Sequence, residues 1–298
     1  MPHDNHTTDT SILELKAHDR DWYIKASEHW VDPLGLPVVQ ELQLDDGRTL
    51  NIIREDLHET GLKARWADLL LKSTTTDTIV YVQPRVGYAG ISLAKLCKKY
   101  NKRVVLFCPA AKEASDHQRI AGSLGAELRF VRIAAMPVLN VYAKKWAEDN
   151  GHTFIPLGLR HPLITAAGVN YALRVVEMLG QPKQIWLATS TGVLARSFMV
   201  AYEDRCDYRL VAVARNLKDG ERGPSTVYSH PFDFSRAAKD LPPYPTISTY
   251  DAKLWSYVKE FAHDGAFIMN VAAEQKVPEF EVKGTNKEWH DFSDLAKG

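Results

Sequence analysis

Cysteine is scarce. Cys97, Cys108 and Cys206 are the only three in 298 residues, too few and too scattered for a disulfide framework, and such usage fits a reducing compartment. Long apolar runs are missing as well: TIVYV and RVVLFC fall far short of the roughly 18 residues a membrane helix needs. An excess of either charge is also lacking. With 37 Lys+Arg against 37 Asp+Glu, no long-range field steers nucleic acid or an anionic membrane to the chain, although a local basic groove stays compatible with this balance. Internal repeats and low-complexity blocks are absent, and no G-x-G-x-x-G or GK[ST] follows any strand pattern, which argues against a dinucleotide fingerprint or a P-loop. The eleven histidines do not pair with cysteines at ligand spacing, so no metal site is expected. The opening MPHDNHTTDTS is polar and lacks the apolar stretch of a signal peptide. A soluble cytoplasmic protein that does not enter a membrane is the expectation.

What is present is ordinary globular material, 45% hydrophobic and 25% charged, in a chain long enough for more than one lobe. Short β-branched runs alternate with helical patterns. Thr78–Gln83, Arg103–Cys108 and Glu127–Arg132 read as strands; Tyr88–Tyr100, Ser115–Leu124 and Met136–Asn150 read as helices. A second series follows, with helices over Pro162–Leu179, Gly192–Tyr202 and Asp251–Asp264 and strands over Gln184–Ala188, Tyr208–Ala214 and Ala266–Val271. Strands apolar on both faces and joined by helices predict parallel sheets with right-handed crossovers. The expected fold is therefore α/β and two-lobed, with doubly wound, mostly parallel sheets. The expected domains are a large one over residues 1–77 and 157–298 and a small one over 78–156, with flexible ends at 1–20 and 278–298. Asn216–Thr249, rich in Gly, Pro and charge, reads as a long functional loop or lid.

Three segments carry candidate chemistry. In REDLHETGLKARWADLLL, an extended run passes Gly61 into an amphipathic helix beginning near Leu62 with Lys63 in its first turn and Ala67, Leu70 and Leu71 facing a core. The helix dipole disfavours a cation there and lowers the amine pKa, as a nucleophilic lysine requires; a solvated surface lysine is the plainer alternative. In WLATSTGVLARSF, a buried strand runs through Ser190, Thr191 and Gly192 into a helix. That arrangement makes either a phosphate cradle of backbone N–H groups or an ordinary Ser/Thr cap. At Tyr250–Asp251–Ala252–Lys253, Asp251 is either a helix cap or a buried carboxylate that keeps a pyridine nitrogen protonated.

In this order, the three segments resemble the tryptophan-synthase-β-like, fold type II enzymes that use pyridoxal phosphate, and most of all the aminocyclopropane carboxylate deaminase and D-cysteine desulfhydrase group. That group carries a signature like REDL-x-x-GGNK-x-RKLE, which stands here as REDLHETGLKARWADLL. The stretch FIPLGLRHPLITAAGVNYALRVVEM also looks like the family's approach to its phosphate loop. The resemblance implies pyridoxal 5'-phosphate as cofactor, with Lys63 as Schiff-base lysine and general base or acid. It further implies Ser190, Thr191, Gly192, Val193 and Leu194 around the phosphate, Asp251 at the ring nitrogen and Tyr250 near the substrate. This sequence departs from the family at the first strand-to-helix turn, where QPRVGYAGIS replaces the usual Ser–Asn pair, and before Lys63, where Thr60–Gly61–Leu62 replaces Gly–Gly–Asn.

An acidic partner for the ring favours carbanionic chemistry, so the resemblance implies a lyase acting at the α-carbon of an amino acid by deamination, β-elimination or decarboxylation. Arg85 and Tyr88 are candidates for the substrate carboxylate, because a guanidinium fork matches it; a surface arginine is the alternative. The run RNLKDGERG either borders an entrance for a larger anionic substrate or is a solvated loop. Two further readings stand beside the lyase. One is an enzyme that trims or decarboxylates an amino acid attached to a DNA base during phage DNA hypermodification. The other is a scaffold relative without catalysis. A homodimer is expected from the resemblance alone.

Overall fold

A computed structural model describes residues 18–132, 135–214, 217 and 222–282. The chain divides into two units: Leu70–His161 with the segment from Val277 on, and Glu14–Leu69 with Pro162–Lys276. No helix among the described residues is long and apolar enough to cross a membrane.

The larger unit begins with α1 (Arg20–Ser27), capped by the Asp19 side chain, which accepts from the Trp22 amide. Next come β1 (Val39–Gln43), β2 (Thr49–Arg54), a 3-10 turn (Glu55–Leu57) and α2 (Gly61–Ser73). After Pro162 follow α6 (Pro162–Leu179), β7 (Gln184–Thr189), α7 (Val193–Tyr202), β8 (Asp207–Ala212) and β9 (Ser225–Ser229), then a 3-10 turn (Asp251–Leu254), α8 (Trp255–Phe261) and β10 (Phe267–Asn270). The sheet runs β1-β2-β10-β7-β8-β9. It is parallel throughout except for the antiparallel β1–β2 hairpin. Leu50, Ile52, Trp186, Val211, Leu254, Trp255 and Ile268 form one core on it. Trp186, fully buried, stacks on Tyr228 with ring centroids 5.4 Å apart.

The smaller unit holds β3 (Thr78–Val82), α3 (Ala89–Lys99), β4 (Arg103–Pro109), α4 (Asp116–Ser123), β5 (Glu127–Val131), α5 (Met136–Asp149) and β6 (Thr153–Ile155). Its four strands are all parallel in the order β5-β4-β3-β6. Every β3 residue is buried, as a strand covered by helices on both faces demands. A capping box between Ser115 and Gln118 starts α4. Past Val277, the Phe280 ring packs where a side chain on Gly122 would otherwise lie.

Several sequence expectations need correction. The helix expected over Asp251–Asp264 is a 3-10 turn followed by a shorter α-helix that ends at Phe261, where Ala262 turns extended. Asp264 is drawn away to accept the Thr49 amide at 2.7 Å. The lid expected over Asn216–Thr249 contains a fifth parallel partner, β9. Of the RNLKDGERG run, residues 215, 216 and 218–221 lie outside the described residues, as do 1–17 and 283–298 of the two chain ends.

Candidate active site

Parallel strands deliver their carboxyl ends to one edge of a sheet, where ligand sites form. In the larger unit those ends are the exits of β2, β10, β7 and β8. Lys63 follows β2, Val271 follows β10, and residues 190–194 follow β7.

Helix α2 starts at Gly61 with φ +64°, and a Cβ there would lie 2.6 Å from the Ala272 Cβ and collide with the Val271 carbonyl. Only glycine brings the helix this close. The Leu62 amide then donates to the Val271 carbonyl at 2.9 Å. Two residues after Gly61, the Lys63 side chain extends with its amine 5.7 Å from the Tyr250 ring centroid. Its pKa is lowered, first because burial desolvates the ammonium, with the Asp251 carboxylate acting in the opposite sense. Lys63 is half-buried rather than an exposed surface lysine, and burial is the leading cause of its shift.

Asp251 is buried and is not a helix cap; Tyr250 occupies that position. Its Oδ2 accepts from the Val271 amide at 3.2 Å, and the Ala272 amide is a further backbone partner. Oδ1 is buried and has no hydrogen-bond partner. Desolvation raises the carboxyl pKa well above its ordinary value, against the lowering effects of the Val271 amide, Lys63 and the Ala272 amide. The Val271 main chain thus joins Asp251 through its N–H and the lysine helix through its C=O.

Gly192, at φ +77°, is the N-cap of α7, and no side chain caps that helix. The Ser/Thr cap considered from sequence is not what starts it. Thr189 Oγ1, just before the turn, is buried without a partner. The Tyr250 hydroxyl donates to the Ala188 carbonyl at 3.1 Å and has the Ser190 side chain as a second hydrogen-bond partner. Burial, reinforced by Asp251, raises the Tyr250 pKa. Its ring stacks on Phe234, with centroids 5.6 Å apart and planes 6° from parallel. Lys63, Tyr250, Asp251 and the turn containing Ser190, Thr191, Gly192, Val193 and Leu194 accordingly belong to one unit and one sheet edge.

Behind Lys63 lies a set of ion pairs that the sequence reading did not single out. Arg54 pairs with Asp56 through two 2.7 Å bonds, and Asn270 donates to the same Asp56 Oδ1 at 2.7 Å. Arg65, fully buried, donates to Glu55 Oε2 at 3.0 Å and to Asp32 Oδ2 and the Gly35 carbonyl at 2.7 Å each. The Tyr171 hydroxyl donates to Glu55 Oε1 at 2.8 Å. The charged residues of the REDL motif are therefore the footing of the lysine helix. Their signal in sequence was the same motif that located Lys63.

Arg85 and Tyr88 belong to the smaller unit. Arg85 is exposed and donates to the Glu113 carbonyl at 3.0 Å. Tyr88 is buried, edge-on to His117 at 4.8 Å. Their turn is organised by the buried Gln83, whose amide donates to the Pro84 and Gly87 carbonyls and accepts from the Gly90 amide, all at 2.9 Å. Among the described residues, no group of three or more His, Cys, Asp or Glu is placed to hold a metal.

No protein-family model matches the sequence, and no curated protein matches it. Solved structures do. An ACC deaminase homologue superposes with a TM-score of 0.73 at 15% identity, covering 84% of this chain and 94% of that one. Maize serine racemase gives 0.64 at 12% identity, covering 88% and 96%. A pyridoxal 5'-phosphate-dependent aspartate racemase gives 0.61 at 15%, covering 88% and 96%. The chain therefore carries the fold type II architecture that these enzymes share.

Proposed function

We propose that this chain is a pyridoxal-phosphate-dependent lyase acting at the α-carbon of an amino acid, with Lys63 as the residue that bonds the cofactor. The observation that carries this reading is the buried, unpartnered Oδ1 of Asp251 in electrostatic reach of a desolvated lysine. An orphaned carboxylate oxygen is costly unless a ligand completes it, and a protonated ring nitrogen is such a ligand. The phosphate end fits as well: α7 begins at a left-handed glycine without a side-chain cap, and its first-turn amides favour an anion. Ser190, Thr191, Gly192, Val193 and Leu194 would hold that group.

When bound, the cofactor supplies an electron sink for the α-carbon. The chain's own residues supply the rest. The Lys63 amine, held below the ordinary lysine range by burial, accepts and returns a proton at Nζ. Asp251 holds or releases a proton at Oδ1, and Tyr250 orients its hydroxyl towards Ala188 and Ser190. The solved relatives named for racemases and an ACC deaminase support an amino-acid substrate, and a carboxylate beside the ring favours the lyase.

A second reading, an amino acid attached to a DNA base, is favoured by one feature. Arg236 and Lys239, both exposed, stand 5.6 and 5.8 Å from the Phe232 ring in the loop after β9, where they suit a phosphate-bearing substrate.

The test is the visible absorption of the chain given pyridoxal phosphate, beside Lys63→Ala. A band abolished by borohydride in the wild type and missing from the variant is expected; no band in the wild type sinks the proposal. Turnover of free amino acids against amino-acid-bearing DNA, over a salt series, then separates the two substrate readings.

A further inference from the structure

Lys253 sits two residues beyond Asp251, fully enclosed, yet its side chain does not face the site. Its ammonium donates to three carbonyls: Val213 at 3.4 Å, Phe232 at 3.0 Å and Asp233 at 2.5 Å. An ammonium has three donors, and all three are spent on the main chain. Val213 follows β8, and its amide donates to the Thr189 carbonyl at 3.0 Å, at the entrance to the turn before α7. Phe232 and Asp233 follow β9, whose exit is fixed by the His230 amide donating to the Ala212 carbonyl at 3.0 Å and the Tyr257 hydroxyl donating to Ser229 at 3.2 Å. The next residue, Phe234, is the one stacked on Tyr250. One buried cation therefore connects the β7, β8 and β9 exits to the ring beside Lys63.

We propose that Lys253 is a positioning residue: its ammonium clamps the 230–234 loop so that Phe234 backs the Tyr250 ring and fixes that ring and its hydroxyl beside the Lys63 amine. The inference rests on the reading of Lys63 as the reactive lysine. It needs no contact between Lys253 and substrate. Methionine at 253 would fill much the same space while taking the ammonium from one buried carbonyl, Val213, and two part-buried ones, Phe232 and Asp233, and the loop would detach. Leucine at 234 would leave the clamp intact and remove only the flat backing of Tyr250.

Three full-length variants decide it: Lys253→Met, Lys253→Arg and Phe234→Leu. The first readout is amide exchange in the 230–234 loop, which should quicken by on the order of tenfold or more in Lys253→Met, with β7 unchanged. The second is the pH midpoint at which trace acetic anhydride labels Lys63, read by mass spectrometry without any cofactor. Asp251 and Tyr250 face that amine, and neither is substituted in any of the three variants. Both Lys253→Met and Phe234→Leu should move the midpoint towards the ordinary lysine value by about one pH unit, a tenfold change in neutral amine, and Lys253→Arg should recover part of it. The third is the rate of appearance of the borohydride-sensitive band with pyridoxal phosphate, which should fall in the same order. Faster exchange with an unmoved Lys63 midpoint in both variants would make Lys253 a structural staple only and overturn the proposal. If Lys253→Met does not fold, Phe234→Leu decides alone. Absence of the band from the wild type would remove the cofactor reading, while the labelling midpoints would still decide the clamp.

Discussion

Replacing Arg65 by Met should cost about 3–5 kcal/mol, the usual loss when one partner of a buried ion pair is removed. The two carboxylates involved are not left in the same condition. Asp32 keeps Arg174, 2.9 Å from Oδ2, and the Leu34 amide on Oδ1. Glu55 keeps the Tyr171 hydroxyl on Oε1 and loses its paired cation. Its side chain is fully enclosed, and burial already holds its pKa above the ordinary value even with Arg65 present. Most of the loss should therefore reside at Glu55, and Glu55→Gln in the Met background should recover roughly half of it, because an unpaired neutral amide costs only about 1–3 kcal/mol. The pH dependence has a definite sign. A carboxyl whose folded pKa is raised takes up a proton on folding, so its contribution is favourable at low pH and is lost as pH rises through the folded value. Arg65→Met should thus be more damaging at pH 8 than at pH 5. Urea unfolding at both pH values, with m-values compared, measures it. A loss below about 1 kcal/mol, or no rescue by Glu55→Gln, would refute the assignment of Arg65 and Glu55 as the footing of the lysine helix.

Two other substitutions test the sheet edge. Gly61→Ala should lose at least about 1–2 kcal/mol from the left-handed backbone alone, with more from the collision at Val271 and Ala272, and thermal melting would register it. Asp251→Asn should stabilise the cofactor-free chain relative to wild type at pH 8 and much less at pH 5, because the wild-type carboxyl, raised well above its ordinary value by burial, is destabilising only where it must ionise. Parallel urea titrations check the sign, and a pH-independent difference would contradict it.

Much of the architecture was legible because buried parallel strands are continuous apolar runs. TIVYV is β3, and the helix expected over Pro162–Leu179 has those bounds. The elements that escaped are those whose sequences look unlike core. β1, VQELQ, lies on the sheet edge with polar residues outward, and β9, STVYS, sits among Gly, Pro and charge. In the site, Lys63, Asp251 and the turn at Ser190 were marked by local pattern. Arg65 and Lys253 lie inside the same segments, but their roles were not legible, because their partners are set by the folded chain: Arg65 reaches Asp32 across 33 positions, and Lys253 reaches Phe232 across 21. Val271 was marked only as the end of an expected strand and carried no signal for the site.

That silence at Val271 has a consequence for how such sites change over time. The residue joins the acid and the lysine helix through its own amide and carbonyl, at 3.2 and 2.9 Å, and its side chain takes no part in either bond. Selection acting on this link would constrain the main chain and leave the letter at position 271 free, proline excepted, since proline has no amide to donate. Two descendants could therefore differ at this position and share the same connection, and a comparison of their sequences would pass over the one stretch of main chain that both partners depend on.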